Sequence, residues 1–429
     1  MLESGAVTAT DTHRVIEAVW RIESARLIAG LTRMVRDVGI AEDLAQDALV
    51  AALERWPESG VPDKPGAWLM TTAKRRGIDV IRRSARLEDK QAELARGLGP
   101  DGAVAPAADA AIDDEVGDDL LSLIFTCCHP VLSTEARIAL TLRMLGGLST
   151  EEIARAYLVP SATIGQRISR AKKTLAAAQL PFEVPTGDDL AARLPAVLDV
   201  VYLIFNEGYS ATAGDDWMRP GLCEDALRLG RILAGLAPRE PEVHGLVALM
   251  EIQASRIRAR LGPDGEPVLL LEQDRARWDY LLIGRGLVAL DRAQALGGTT
   301  GPYAVQAAIA ACHARARSAE ETDWVQIVGL YDVLSRIAPS PVVELNRAVA
   351  LGMAHGPASG LELVDAIAAT SALEGYHLLP SVRGDLLAKL GRAEEARAEF
   401  ARAASLTQNA RERALLHARA AGLGHPSTG

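Results

Sequence analysis

The sequence predicts an all-α protein, and three observations carry that expectation. Apolar residues recur at three- and four-residue spacings along most of the chain, the period of helices with one buried face. The alternating β-branched runs that strands favour are few, and alanine, leucine and arginine dominate instead. Nearly half the residues (49%) are apolar while only 4% are aromatic.

The totals bound the reading further. A chain of 429 residues is long enough for two or three domains, each with a sizeable core. The formal net charge of −10 argues against a uniformly basic nucleic-acid binder. It leaves room for local basic patches, which are what a phosphate backbone feels. Four cysteines, two of them adjacent (Cys127 and Cys128), do not make a disulfide framework. No N-terminal signal peptide and no apolar run of membrane-spanning length are visible, so a cytoplasmic protein with no membrane contact is expected.

Residues 11–87 read as a first helical domain. Val15, Val19, Ile22, Leu27, Ile28, Leu31 and Val35 supply an apolar face. After Gly39, A-E-D-L-A-Q-D-A-L-V-A-A-L-E-R-W restarts a helix with acids in its first turn, where the helix dipole favours them. Leu44, Ala48 and Ala51 follow one edge. Glu42, Asp43, Gln46 and Asp47 lie toward another, as a solvated helix start or as a surface suited to a basic protein partner. Residues 57–64, with Pro57, Gly60 and Pro62, read as a loop. In the next helix Leu69, Ala73, Gly77 and Val80 or Ile81 form the buried edge. Lys74, Arg75, Arg76, Arg82, Arg83 and Arg86 set six positive charges against the single acid Asp79. So lopsided a run in an acidic protein fits an anionic partner, of which a DNA backbone is the commonest.

Residues 88–119, rich in Ala, Gly, Asp and Pro, read as an acidic flexible linker. Residues 120–180 form a second helical domain with Leu121, Ile124, Phe125, Leu132, Ile138, Leu142 and Leu145 as core. In its last part Ser149 and Glu152 have capping-box spacing, and Ile153, Ala154, Tyr157 and Leu158 line one face. Val159-Pro160 breaks the pattern, because a proline disfavours helical geometry in the residue before it. Ser161 is the expected second N-cap, and Ile164, Ile168, Ala171 and Leu175 form a new stripe. The opposite face carries Thr163, Gln166, Arg167, Arg170 and Lys173. Two short helices around a tight break, the second with a basic outer face, read as a helix-turn-helix or as an ordinary surface pair.

The E-D-L-x-Q-D-A helix, the Pro/Gly loop, W-L-x-x-x-A-x-x-R-x-I-D-x-x-R-R, the acidic linker and T-I-x-x-R-I-x-R-A-K occur in that order. In this the chain resembles the extracytoplasmic-function (ECF) sigma factors of bacterial RNA polymerase over about residues 11–178. The resemblance implies that Glu42, Asp43, Gln46 and Asp47 dock on core RNA polymerase. It implies that the 57–64 loop captures a flipped base of the melted minus-ten element. Lys74, Arg75, Arg76, Arg82 and Arg83 would hold the non-template strand and adjacent duplex. Thr163, Gln166, Arg167, Arg170 and Lys173 would read the minus-thirty-five element of the promoter DNA. The chain has Gly165 where many members carry a basic residue.

Residues 188–422 form a further helical domain, joined through Pro181, Pro185 and Gly187. Helical patterns are expected at 190–206, 223–237, 243–260, 274–294, 302–319, 324–337, 342–353, 360–367 and 378–389. Residues 378–406, with L-G-R-A-E-E-A and F-A-R-A, resemble a tetratricopeptide repeat, and a looser copy begins at Asn346. A sigma factor with such a tail resembles the group carrying a C-terminal repeat domain. The tail would regulate promoter opening by contacting polymerase, the sigma domains or another protein.

Other local features are weighed against simpler roles. Tyr202 to Ser210 with Asp215, Asp216 and Trp217 could line a ligand pocket or form a packed joint. Cys127-Cys128-His129 lacks zinc spacing, so no metal is expected there. Glu272, Asp274 and Arg275 fit capping and ion pairs better than acid–base catalysis. His244, His313 and His377 lie in separate apolar helices. No catalytic residue and no cofactor are expected. The rival readings are a ligand-sensing transcription regulator and an enzyme in the tail using Glu207 with Asp215 or Asp216.

Overall fold

The computed structural model describes residues 9–96, 112–157, 159–211, 213–263 and 265–423. The described residues are mostly helical, with two two-residue strands and one longer irregular stretch, residues 255–279, that holds only three short 3-10 turns and a Leu261–Pro267 bridge. The chain divides into two compact units, residues 1–200 and 201–429. That division falls inside a helix rather than at the proline-rich joint near 181–187.

In the first unit, α1 (Ala9–Val35), α2 (Val38–Ser59) and α3 (Pro65–Arg96) pack on one another. The α2 helix begins where the Asp37 carboxylate accepts from Ile40 N at 2.9 Å, an N-cap worth about 1 kcal/mol. On α1, Ile16, Leu27, Ile28 and Leu31 are buried, but Val15 and Ile22 are 41% and 65% exposed. Buried Ala25 and Ala29 admit the neighbouring helices closely and turn the packed face toward themselves, away from those two. The expected loop also shortens. Pro57 lies inside α2, which ends at Ser59, with Gly60 at φ +82° as its stop. Trp56, 1% exposed, anchors that last turn edge-on to Trp68 at the head of α3, with ring centroids 5.3 Å apart.

Helix occupies both ends of the stretch assigned to a linker: α3 runs on to Arg96 and α4 (Ile112–Cys127) follows. Residues 88–96 (E-D-K-Q-A-E-L-A-R) are mostly good helix formers, and α3 continues through them. Residues 97–111, the middle of that expected linker, lie outside the described residues, as does Leu158. The α4 helix packs on α1 and is followed by α5 (Thr134–Met144), α6 (Thr150–Ala156) and α7 (Ser161–Ala178). The expected capping box forms at α6: Glu152 Oε2 accepts from Ser149 N at 2.7 Å, and Ser149 Oγ from Glu152 N at 3.1 Å. At α7 the expectation fails, because Pro160 holds the N-cap position and Ser161 is the first helical residue. Pro160 is already extended at ψ 140°, so the break it imposes doubles as the helix boundary. Ile164, Ile168, Ala171 and Leu175 are all buried, as their spacing requires.

Helix α8 (Gly187–Tyr209) leads to the second unit, built from α9 (Pro220–Leu236), α10 (Pro241–Ala254), α11 (Tyr280–Ala295), α12 (Pro302–Arg315), α13 (Trp324–Ile337), α14 (Pro341–His355), α15 (Pro357–Ala369), α16 (Leu378–Lys389), α17 (Ala393–Leu406) and α18 (Ala410–Gly422). From α12 onward each helix packs on the next. The α10 helix is apolar nearly all round and sits among α9, α11 and α12 as the buried centre. Leu345, Leu361, Leu386, Leu387, Phe400 and Leu416 form the core of the last five helices. Their crossings are tight where glycines meet. A Cβ on Gly360 would lie 2.6 Å from Ala348 O and 3.0 Å from Gly352 Cα, so α14 and α15 touch backbone to backbone.

Strand β1 (Ala213–Gly214) pairs in parallel with β2 (Gln408–Asn409). Asn409, 1% exposed, donates Nδ2 to Ala211 O at 3.0 Å and Asp216 O at 2.8 Å. Its Oδ1 meanwhile caps α18 by accepting from Arg411 N and Glu412 N. The α18 helix was not anticipated from the sequence. Its face carries one buried leucine, Leu416, and its start depends on this long-range asparagine.

A buried polar centre joins α12 to the segment before α11. Arg275, 9% exposed, donates to His313 O at 2.5 Å and to Ala316 O at 2.7 Å, with Trp278 under its guanidinium at 4.7 Å. Burial, and then the charges of Arg256 and Arg275, push the His313 imidazole down to about 4. The native state therefore holds this histidine neutral, whereas the unfolded chain protonates it below pH 6.5. The stabilisation is complete above pH 6.5 and is lost as pH falls toward 4, about 3 kcal/mol in all. Thermal unfolding across that window should show the loss, and His313→Gln should remove most of this slope.

Candidate functional site

The expected interface residues lie on three helices of the first unit. On α3, Leu69, Ala73 and Gly77 are buried, and a Cβ on Gly77 would fall 2.2 Å from Met34 Cε. That close approach seats α3 against α1 and α2 and turns Lys74, Arg75, Arg76 and Arg82 outward, all exposed. Ile81 stays 41% exposed while Val80 is half-buried, so the buried edge ends at Val80. Arg83 falls on α3, but its side chain, like that of Arg86, lies outside the described residues. Arg76 Nη1 meets Asp47 Oδ2 at 2.9 Å, with both side chains about half exposed. Such a surface pair is worth about 0–1 kcal/mol and yields readily to a competing partner.

The α7 helix presents a second basic face. Gln166, Arg170 and Lys173 are exposed, and Thr163 and Arg167 are half-buried along its flank. A Cβ on Gly165 would meet only Thr150 Cγ2, at 3.9 Å, so this place on the helix has room for a side chain.

On α2, Asp43 and Asp47 are exposed and Gln46 is half-buried, but Glu42 is 3% exposed. Its carboxylate does not face solvent. Oε1 accepts from Arg143 Nε at 2.6 Å and from Gln46 Nε2 at 2.6 Å, and Oε2 contacts the Lys172 ammonium. Arg143, on α5, also donates to Leu148 O at 3.1 Å, tying the approach to α6 into the same contact. Burial alone would raise the Glu42 carboxyl; the adjoining Lys172 and Arg143 charges outweigh it and hold the group below the ordinary carboxylate value. Arg143 and Lys172 were not anticipated. Lys172 follows Ala171 and lies four residues after Ile168, so it flanks the buried stripe rather than the outer face, and that offset was the available signal.

The remaining candidates resolve into structural roles. Cys127 and Cys128 are buried; burial drives the Cys127 thiol well up and the Cys128 thiol to about 11, with Thr141 Oγ1 3.5 Å from Cys128 Sγ. Among the described residues no group of three or more His, Cys, Asp or Glu is placed to hold a metal. Glu207 is buried and ion-paired with Arg219, whereas Asp215 and Asp216 are exposed. Tyr209 and Trp217 clamp the Arg260 guanidinium at 3.8 and 5.5 Å, a packed joint. Glu272 is exposed, Asp274 caps a short turn, and His377 pairs with Glu412 at 2.9 Å. None of the described helices is long and apolar enough to cross a membrane.

Three stretches of the chain match known families. Residues 22–87 match the model of sigma-70 region 2, and residues 122–175 that of sigma-70 region 4. Residues 193–294 match a family of unknown function, DUF6596. An uncharacterized protein of Rhizobium meliloti is 44% identical over 401 residues, covering 91% of both chains. A probable ECF RNA polymerase sigma factor, SigI of Mycobacterium tuberculosis, is 29% identical over 38% of this chain and 55% of its own length. The ECF RNA polymerase sigma factor SigK of Mycobacterium bovis is 28% identical over 35% of this chain and 78% of its own. No solved structure matches. Sigma-70 regions 2 and 4 are non-catalytic domains. The chain belongs to the family of the Rhizobium meliloti protein and is a sigma-70-family protein, with regions 2 and 4, related to the ECF sigma factors.

Proposed function

We propose that this protein is an alternative, ECF-type sigma factor that binds core RNA polymerase and directs promoter-specific initiation. The observation that carries the reading is a pair of exposed cationic faces, one in region 2 and one in region 4, within a chain of net charge −10. Lys74, Arg75, Arg76, Arg82 and Arg83 on α3 hold the melted strand of the minus-ten element and the adjacent duplex. The short loop before α3 receives a flipped base, whose extrusion costs a few kcal/mol that phosphate contacts must offset. Helices α6 and α7 act as a helix-turn-helix, with Thr163, Gln166, Arg167, Arg170 and Lys173 toward the minus-thirty-five duplex. Asp43, Gln46 and Asp47 dock on polymerase, and Glu42 joins them when region 4 moves off α2. This activity uses no cofactor, and its place is the cytoplasm.

The helices from α14 to α18 serve as a tetratricopeptide-like regulatory domain. The glycine contact between α14 and α15 supports this, as does Gly384, where a Cβ would lie 3.0 Å from the Phe400 ring. Helix pairs that stack so closely bury their faces only through their neighbours.

The direct test is transcription and binding with purified core polymerase. Replacing Asp43 and Asp47 with alanine should weaken docking to core polymerase about tenfold or more while duplex promoter binding is retained. Equal losses in both assays would sink this division of surfaces, and failure of the unaltered protein to bind core polymerase would sink the reading itself.

A further inference from the structure

The stretch that matches a family of unknown function contains an open trough of about 850 Å³ bounded by α9, α10 and α11. Its apolar wall is one face of α11, where Leu281, Gly284 and Val288 follow one another at three- and four-residue spacing. Leu281 is 67% exposed and Val288 69%, so this face is bare in the structure. At Gly284 a Cβ would meet no heavy atom within 4 Å, which leaves a notch between the two apolar residues. From Tyr280 to Arg292 the wall is about 18 Å long, the length of three to four helical turns.

The polar groups are lopsided. Arg231, Arg285 and Arg292 line the trough against a single carboxylate, Glu251. Glu251 is 2% exposed; its Oε1 accepts from Arg231 Nε at 2.7 Å while its Oε2, also buried, has no hydrogen-bond partner. Among the described residues no carboxylate pairs with Arg285 or Arg292.

We propose that this trough docks an amphipathic helix with acidic flanks from another protein. Its apolar ridge lies along Leu281 and Val288 with one side chain in the Gly284 notch, as helix ridges pack into grooves. Its flanking carboxylates meet Arg285 and Arg292. A second copy of the chain fits poorly on this face, because a symmetric pairing sets one Arg285/Arg292 edge against the same cationic edge of the other copy. The proposal stands apart from the sigma-factor reading, so a failed transcription assay would leave it untouched.

The test uses the full chain and a stapled peptide of about four helical turns. The peptide carries leucines at three- and four-residue spacing and glutamates on both flanks; a matched control carries lysines in place of the glutamates. Fluorescence anisotropy should show micromolar binding of the acidic peptide, at least about tenfold weaker for the control. Val288→Asp, and separately Arg285→Glu with Arg292→Glu, should each weaken binding at least about tenfold without moving the thermal midpoint. These positions are exposed, so the variants fold. Hydrogen exchange should place the protection on α11. Absence of peptide binding, equal binding of both peptides, or binding indifferent to the variants would overturn the proposal. So would self-association of the chain that Val288→Asp abolishes, which would make a second copy the occupant.

Discussion

Replacing Arg167 and Arg170 with alanine should lower affinity for duplex promoter DNA by about two orders of magnitude, at about 1–3 kcal/mol per guanidinium lost from a base edge. Arg170 is exposed and Arg167 half-buried on α7, and neither belongs to its buried stripe of Ile164, Ile168, Ala171 and Leu175, so the helix should persist. The α7 N-terminus is held by the Pro160 break and by packing against α5 and α6; the Arg167 substitution removes only its charge interaction with exposed Glu135 of α5. Each lost phosphate contact should also flatten the salt dependence of binding by about 1 in the log–log slope. Anisotropy at several salt concentrations measures both quantities. Docking to core polymerase should be unchanged, since Asp43 and Asp47 are untouched. A loss under threefold, or an equal loss of polymerase binding, would refute the assignment of this face.

The second large effect concerns Glu42. Removing one member of a buried ionic cluster leaves uncompensated charge, at a typical cost of about 3–5 kcal/mol. Arg143 and Lys172 are each 22% exposed and regain some hydration, which places Glu42→Ala near the lower end. The loss falls on the contact between α2 and α7 and not on either domain's core, because Leu44, Ala48 and Trp56 remain in place. Hydrogen exchange in the full chain should therefore quicken in α7 and at the start of α2 while α3 is unaffected. Glu42→Gln, which keeps an acceptor but no charge, should fall between. Unchanged exchange in Glu42→Ala would show that the cluster holds nothing together.

That cluster also marks where the sequence stopped being informative. The helical periodicity gave most elements and the whole buried stripe of α7, because a two-sided environment writes itself into three- and four-residue spacing. The basic faces of α3 and α7 were legible for the same reason. Charge alone did not separate Glu42 from Asp43, although one is buried and the other exposed. Adjacent residues on a helix differ by about 100° of rotation, and only the position of a partner domain decides which of them is covered. The errors at Val15 and Ile22 have a related origin: alanines, which carry little hydrophobic signal, set the packed face of α1. The α18 helix escaped notice because its cap is made by a residue that is itself fixed from nearly two hundred positions away.

That asparagine has a consequence for how the second unit tolerates shortening. Stacked helical repeats usually behave like a row of coins, from which either end can be trimmed with a local cost. Here Asn409 fastens the last pair of helices to the opening turn of the same unit. A cut just before it removes α18 and at the same time strips the opening turn of both bonds to Asn409, so shortening from this end should be felt at the unit's other margin as well.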